Sequence, residues 1–150
     1  MKNHTMHYRH LLIMLILSFV GMYFLMYAMA DSLGNVFMNV NQAYMAALMA
    51  APMALIELVV MRSMYPDRRL NTIVVVASVA VAMMSWTAIR NQTGVNDSQF
   101  LRSMIPHHAG AILMCEQAAI ENPAVTHLCT EIIASQRREI ETMKTLLRTQ

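Results

Sequence analysis

The stretch from Asp97 to Leu147 reads DSQFLRSMIPHHAGAILMCEQAAIENPAVTHLCTEIIASQRREIETMKTLL, and at its centre Met104-Ile-Pro-His-His108 sets two adjacent histidines behind a methionine and a proline. On a period of about 3.6 residues, Met104, His108, Ala111, Cys115 and Ala118 share one helical face, with His107 and Met114 on its flank. Val125, Cys129, Ile132, Gln136, Ile140 and Met143 share a face of a second helix, with Glu139 on its edge. Asn96 or Asp97 caps the first helix, with Gln99 placed to reach back if Asn96 is the cap. That helix is expected to run to about Ile120 and to bend at Pro106, which removes one backbone donor. Asn122-Pro123 is a restart, a cap followed by proline at the first helical position, and the second helix continues to about Arg148. Counting outward from this turn in an antiparallel hairpin puts His108 opposite Gln136, Met104 opposite Ile140 and Cys115 opposite Cys129.

What precedes this hairpin is apolar. The 150 residues are 57% hydrophobic and 13% charged, which moves the chain out of the soluble class. Leu11 to Ala30 holds twenty residues without a charge, enough for about 30 Å of helix. Its end, Ala28-Met-Ala30, resembles a signal-peptidase site, but the apolar run is longer than a usual signal segment. Ala43 to Met61 and Asn71 to Ile89 are two further spans. The expected organisation is a tail over 1–10, a three-helix transmembrane region over 11–90, a linker over 91–96 and an extracytoplasmic metal-binding hairpin over 97–150. No segment reads as a strand, so the fold class is all-α.

Lys2 and Arg9 in the tail, and three arginines between Arg62 and Arg69, mark the cytoplasmic side by the positive-inside rule. The Asp31 to Gln42 loop, with one acid and no base, then lies outside, and three crossings put the hairpin outside too. In a bacterium this is a multi-pass inner-membrane protein with its C-terminal segment in the periplasm. A net charge of +2, without a basic face, excludes nucleic acid as the natural partner.

Methionine is the compositional anomaly, at 17 residues. It fills apolar gaps, and its thioether is also a soft ligand suited to Cu(I) or Ag(I). Met45, Met49, Met53, Glu57 and Met61 form a stripe at i, i+4 spacing, read here as a packing face in preference to an ion path. Glu57 either has a function inside its span, or simply reaches the interface or pairs with Arg62. His4, His7 and His10 recur every three residues and are read as a flexible, protonatable tail in preference to a metal site. Adjacent histidines beside Met104 and Met114 are a different matter. Imidazole with thioether suits copper, Cu(I) above all, or silver, whereas a di-iron centre wants a Glu-x-x-His pair and zinc more thiolate or imidazole. Cys115 and Cys129 either close a disulfide or remain thiols; facing helices usually stand too far apart for a relaxed bridge, which favours thiols, buried as small apolar groups or lending a ligand.

Asp97-x-x-Phe100, Met104-Ile-Pro-His-His-Ala-Gly-Ala-Ile112 with Met114, and Ile132-Ile-x-x-Gln136-x-x-Glu139-Ile-x-x-Met143 together resemble the family called domain of unknown function 305, over about the last third of the chain. The resemblance implies a ferritin-like helical bundle, often extracytoplasmic, with members linked to copper binding and copper tolerance. Carried over residue by residue, it implies Met104, His107, His108, Met114 and Met143 as ligands, with Gln136 and Glu139 joining them or orienting them. Cys115 departs from the pattern, where a small residue is expected, and adds a thiolate to the set if it adds anything. Two helices are half of a four-helix bundle and bury too little to stand alone. A homodimer or higher homo-oligomer would complete it, and the chain's own membrane helices are the other available support.

No nucleophile with a paired base and no phosphate loop is present, so turnover is not expected. The expectation is a membrane-anchored copper-binding protein for sequestration or hand-off in copper tolerance. A metal-free structural or regulatory membrane subunit is the first alternative, and a ferritin-like redox enzyme the second.

Overall fold

A computed structural model describes residues 2–150, with side chains from Met6 onward. Five α-helices follow one another: α1 (Lys2–Leu25), α2 (Val40–Val60), α3 (Arg68–Asn91), α4 (Asp97–Gln117) and α5 (Pro123–Arg148). Two short 3₁₀ turns, Met26–Met29 and Leu33–Asn35, lie between α1 and α2, and no strand occurs among the described residues. The all-α expectation holds. The segment read as a tail is helical instead, because α1 starts at Lys2 and carries His7 and His10 on its first turns; His4 lies outside the described side chains.

The chain forms two compact units, one of residues up to Leu25 with Asn41–Gly94, the other of Met26–Val40 with Val95–Gln150. Three helical stretches, Met6–Met29, Val40–Val60 and Arg68–Asn91, are each long and apolar enough to cross a membrane. Ala46, Ala50 and Ala54 form the buried stripe of α2, an arrangement that lets apolar helices approach closely. The methionine stripe is not this packing face: Met45 and Met49 are 39% and 47% exposed. Small side chains win the interface because lipid offers methionine a surface as apolar as another helix does.

Asp67 caps α3, its carboxylate accepting from the amides of Arg69 (2.9 Å) and Leu70 (3.1 Å). Glu57 is bonded by Tyr65, whose hydroxyl donates to Oε1 at 3.2 Å. Among the described residues it makes no ion pair with Arg62; its partner is the Tyr65 hydroxyl. Burial first, and the Glu57 carboxylate second, hold the Tyr65 phenol above its ordinary value, which keeps it a donor.

In the second unit, α4 and α5 fold back on each other around Asn122, whose side chain accepts from the Ala124 amide at 2.9 Å with Pro123 behind it. Asn96 caps α4 by accepting from Gln99 N at 2.9 Å. The Gln99 side chain does not close a capping box. Its Oε1 accepts instead from the amide of Val40, at 2.9 Å, and so caps α2.

The core of this unit is Leu101, Ile105, Ala109 and Ile112 from α4 with Ile140 and Met143 from α5, and Ala30, Phe37, Met104 and Leu147 pack against it. The deepest face of α4 is therefore the one holding Ile105 and Ile112, not the face of Met104, His108 and Cys115. The reason is the segment 26–40, whose first five residues sequence patterning assigns to the end of the first span and the rest to a polar loop. It docks on α4, bringing Ala30 and Phe37 to the core and the Met29 carbonyl over buried Gly110. A third layer thus covers α4.

Pro106 explains part of the docking. Lacking an N–H, it leaves the carbonyl of Arg102, four residues earlier, without its helical donor. Buried Asn39 supplies one: its Nδ2 reaches Arg102 O at 3.5 Å while also donating to Phe37 O at 3.0 Å. Tyr27, likewise buried, donates its hydroxyl to Phe37 O at 3.0 Å, so Phe37 keeps a partner if Asn39 is lost and Arg102 does not. Asn39→Ala is expected to cost about 1 kcal/mol, the net worth of a part-buried hydrogen bond, read by thermal unfolding of the detergent-solubilised chain. In a Pro106→Ala background the helical amide returns and the cost shrinks. An equal cost in both backgrounds would contradict the pairing.

Candidate metal centre on the hairpin

Consecutive residues of a helix point about 100° apart, so only one of the two histidines can face α5. It is His108. Its side chain is 13% exposed and its Nδ1 lies 3.0 Å from Oε2 of Glu139, whereas His107 points outward with its ring centroid 6.0 Å from that of His108. Nδ1 is buried, yet the carboxylate sits off the line a hydrogen bond needs, so the two groups touch without bonding.

One turn further along each helix, on the same antiparallel register, stand the two sulfurs. Met104 precedes His108 by four residues and Met143 follows Glu139 by four, which places each pair on one helical face. Met143 is buried in the core cluster and Met104 packs against that same cluster. Imidazole, carboxylate and two thioethers therefore occupy two adjacent levels of the hairpin. Gln136, the expected partner of His108, is half-buried, and the nitrogen of His108 is instead close to Glu139, one turn along α5. Met114 is 55% exposed and stands apart from this group. Among the described residues no three His, Cys, Asp or Glu side chains converge, so any ion held here depends on sulfur from methionine.

Cys115 and Cys129 are joined in a disulfide, which corrects the preference for free thiols and removes Cys115 as a source of thiolate. Their α-carbons are 5.3 Å apart. With each α-carbon about 2.3 Å from its helix axis, directly facing residues at that distance belong to an ordinary interaxial separation of about 10 Å. It is the helix axes, not the facing backbones, that stand farther apart than a bridge spans. The register that set Cys115 opposite Cys129 is correct. Arg137 pairs with Glu116 at 2.6 Å near the same end, an exposed ion pair of small energetic weight. His127 is exposed, as its position on the far side of α5 predicts.

The residues that sequence patterning misses are those outside the hairpin, Tyr27 and Asn39 above all, which fix the layer over α4. One signal for them is present in the sequence: a helix-interior proline frees a carbonyl, and a buried carbonyl requires a donor from elsewhere.

Residues 75–147 match the family described as domain of unknown function (DUF305). The match begins inside α3, so it reaches well beyond the last third of the chain. The chain is also similar to "Uncharacterized protein L153" of Acanthamoeba polyphaga mimivirus, with 33% identity over 140 residues that cover 91% of this chain and 90% of that protein. The similarity therefore extends over the apolar part of this chain as well as its hairpin. No solved structure matches the chain.

Full-length protein purified without reductant is expected to take up no iodoacetamide until reduced. Cys115→Ser/Cys129→Ser is expected to lose about 3 kcal/mol of stability, the chain-entropy value for a closed loop of about 15 residues. Labelling of both cysteines before reduction would contradict the bridge.

Proposed function

We infer, from a chain that belongs to the DUF305 family and carries imidazole, carboxylate and two thioethers on two levels of one hairpin, that it is a membrane-anchored protein that binds copper as Cu(I). The observation that carries this reading is the buried Nδ1 of His108, in contact with Glu139 but unbonded. A buried polar atom left without a partner is costly. A small turn of the ring aligns Nδ1–H with the carboxylate and leaves Nε2 as the nitrogen for a metal, the arrangement in which a carboxylate orients a ligating histidine. Glu139 then orients rather than ligates. Met104 and Met143 supply sulfur, and a mixed nitrogen and sulfur set favours Cu(I), with Ag(I) as a chemical mimic, over hard divalent ions.

His107, exposed on the next position, is the natural point of entry for an incoming ion, and Met114 a further exposed thioether on the same helix. The role that follows is sequestration or hand-off in copper tolerance, not turnover. In this reading the hairpin lies outside the cytoplasm, in a bacterium the periplasm; the arginine-rich loop after α2, the three apolar helices and the Cys115–Cys129 disulfide support that side. Exposed Val125 and Leu128 near the start of α5 offer a second copy of the chain an apolar strip, so a homodimer belongs to the same reading.

Metal content of the full chain from copper-supplemented cells, with copper, zinc and iron measured together, tests the site. His107→Ala/His108→Ala is expected to lose about one copper per chain, and Glu139→Gln to bind it roughly 10- to 100-fold more weakly, as loss of an orienting partner does. Equal copper in the wild type and the double variant, both equally helical, would overturn the assignment and leave a metal-free structural subunit in its place.

A further inference from the structure

We propose a second soft-metal site, independent of the hairpin, in the cavity lined by His7, His10, Met14, Glu57 and Met64 in the unit of apolar helices. The cavity has a volume of about 220 Å³, room for an ion with side chains closing around it.

His7 and His10 are three residues apart on α1 and Met14 is four further, so the three occupy neighbouring positions on one helical surface. Met64 comes from the turn after α2 and Glu57 from the last turn of α2 itself, so the donors arrive from two directions. An acid in a helix this apolar is expensive to maintain without a task.

The wall around the carboxylate is fixed. Tyr65 donates its hydroxyl to Glu57 at 3.2 Å, Asn71 Nδ2 donates to Tyr65 O at 2.9 Å, and the Tyr8 hydroxyl donates to Asn71 Oδ1 at 2.8 Å. The Tyr8 and Tyr65 rings pack edge to face at 5.1 Å. This network holds α1, α3 and the end of α2 around the cavity, and among the described residues it engages one oxygen of Glu57, Oε1.

The donor chemistry decides the ion. Two imidazoles and one carboxylate line the wall without converging, so closure falls to Met14 and Met64, whose three rotatable side-chain bonds allow it. Imidazole with thioether selects Cu(I), and the carboxylate neutralises its single charge. Zinc also takes two imidazoles with a carboxylate, but needs the three to converge on one point, and among the described residues His7, His10 and Glu57 do not. The histidines read from sequence as a protonatable tail thus acquire a ligand.

The test uses the full chain in detergent, titrated anaerobically with Cu(I) against a chromophoric Cu(I) chelator. His107→Ala/His108→Ala is expected to retain about one tight Cu(I), and adding His7→Ala/His10→Ala to abolish it. Met64→Leu, close in volume and shape, is expected to weaken the retained ion at least about tenfold, the lower end of what losing even an outer partner costs. Zn(II) under the same conditions is expected not to compete. Retention of the ion after His7→Ala/His10→Ala, or no Cu(I) on His107→Ala/His108→Ala while its helix content is unchanged, would overturn the second site. His7→Ala/His10→Ala alone separates the two readings: loss there with none in the hairpin variant removes the hairpin site and keeps this one.

Discussion

The carbonyl of Arg102 and the side chain of Asn39 meet because Pro106 cannot donate, and much of the second unit follows from that meeting. A helix with proline in its interior has an unsatisfied acceptor on the proline's preceding turn. Water satisfies it on an exposed face, but on a buried face the chain has to provide a donor. Here the donor comes from the segment before α2, and with it come Tyr27, Ala30 and Phe37 to cover α4. The same proline stands directly before His107 and His108. The irregularity that calls in the covering segment is thus one residue from the histidine pair.

That coupling answers the difficulty of a two-helix domain. A hairpin of α4 and α5 buries one face of each helix and leaves the other face of α4 bare. The segment 26–40 supplies the missing layer from the same chain, while Gln99 caps α2 in return. Layer, cap and disulfide together hold α4 against α5 at the level of His108 and Glu139. A site of flexible methionines needs such support, since thioether side chains contribute little rigidity of their own.

Sequence patterning located the elements that are fixed locally. The caps at Asn96 and Asn122, the three apolar helices and the register that pairs Cys115 with Cys129 all depend on residues within a few positions of one another. What it did not locate depends on contacts far apart in sequence. Asn39 and Arg102 are separated by 63 residues, and Val40 and Gln99 by 59, and nothing in a polar loop between two spans announces such partners. Two further differences have the same origin. The buried stripe of α2 is alanine rather than methionine because packing between apolar helices rewards small size, and Tyr65 rather than Arg62 holds Glu57 because the turn after α2 folds back upon it. Of the candidate ligands, His108, Glu139, Met104 and Met143 come to adjacent levels of the hairpin, while His107 and Met114 face outward and Cys115 is taken by its bridge.

The central claim is that this hairpin holds Cu(I) through His108 nitrogen and methionine sulfur. X-ray absorption at the copper edge tests it most directly, on Cu(I)-loaded full-length protein in which His7→Ala/His10→Ala has removed the donors of the other cavity. A copper ion surrounded by both nitrogen and sulfur, with the sulfur contribution lost in Met104→Leu/Met143→Leu, is the predicted result. A spectrum of light-atom neighbours alone, unchanged by the methionine substitutions, would contradict it.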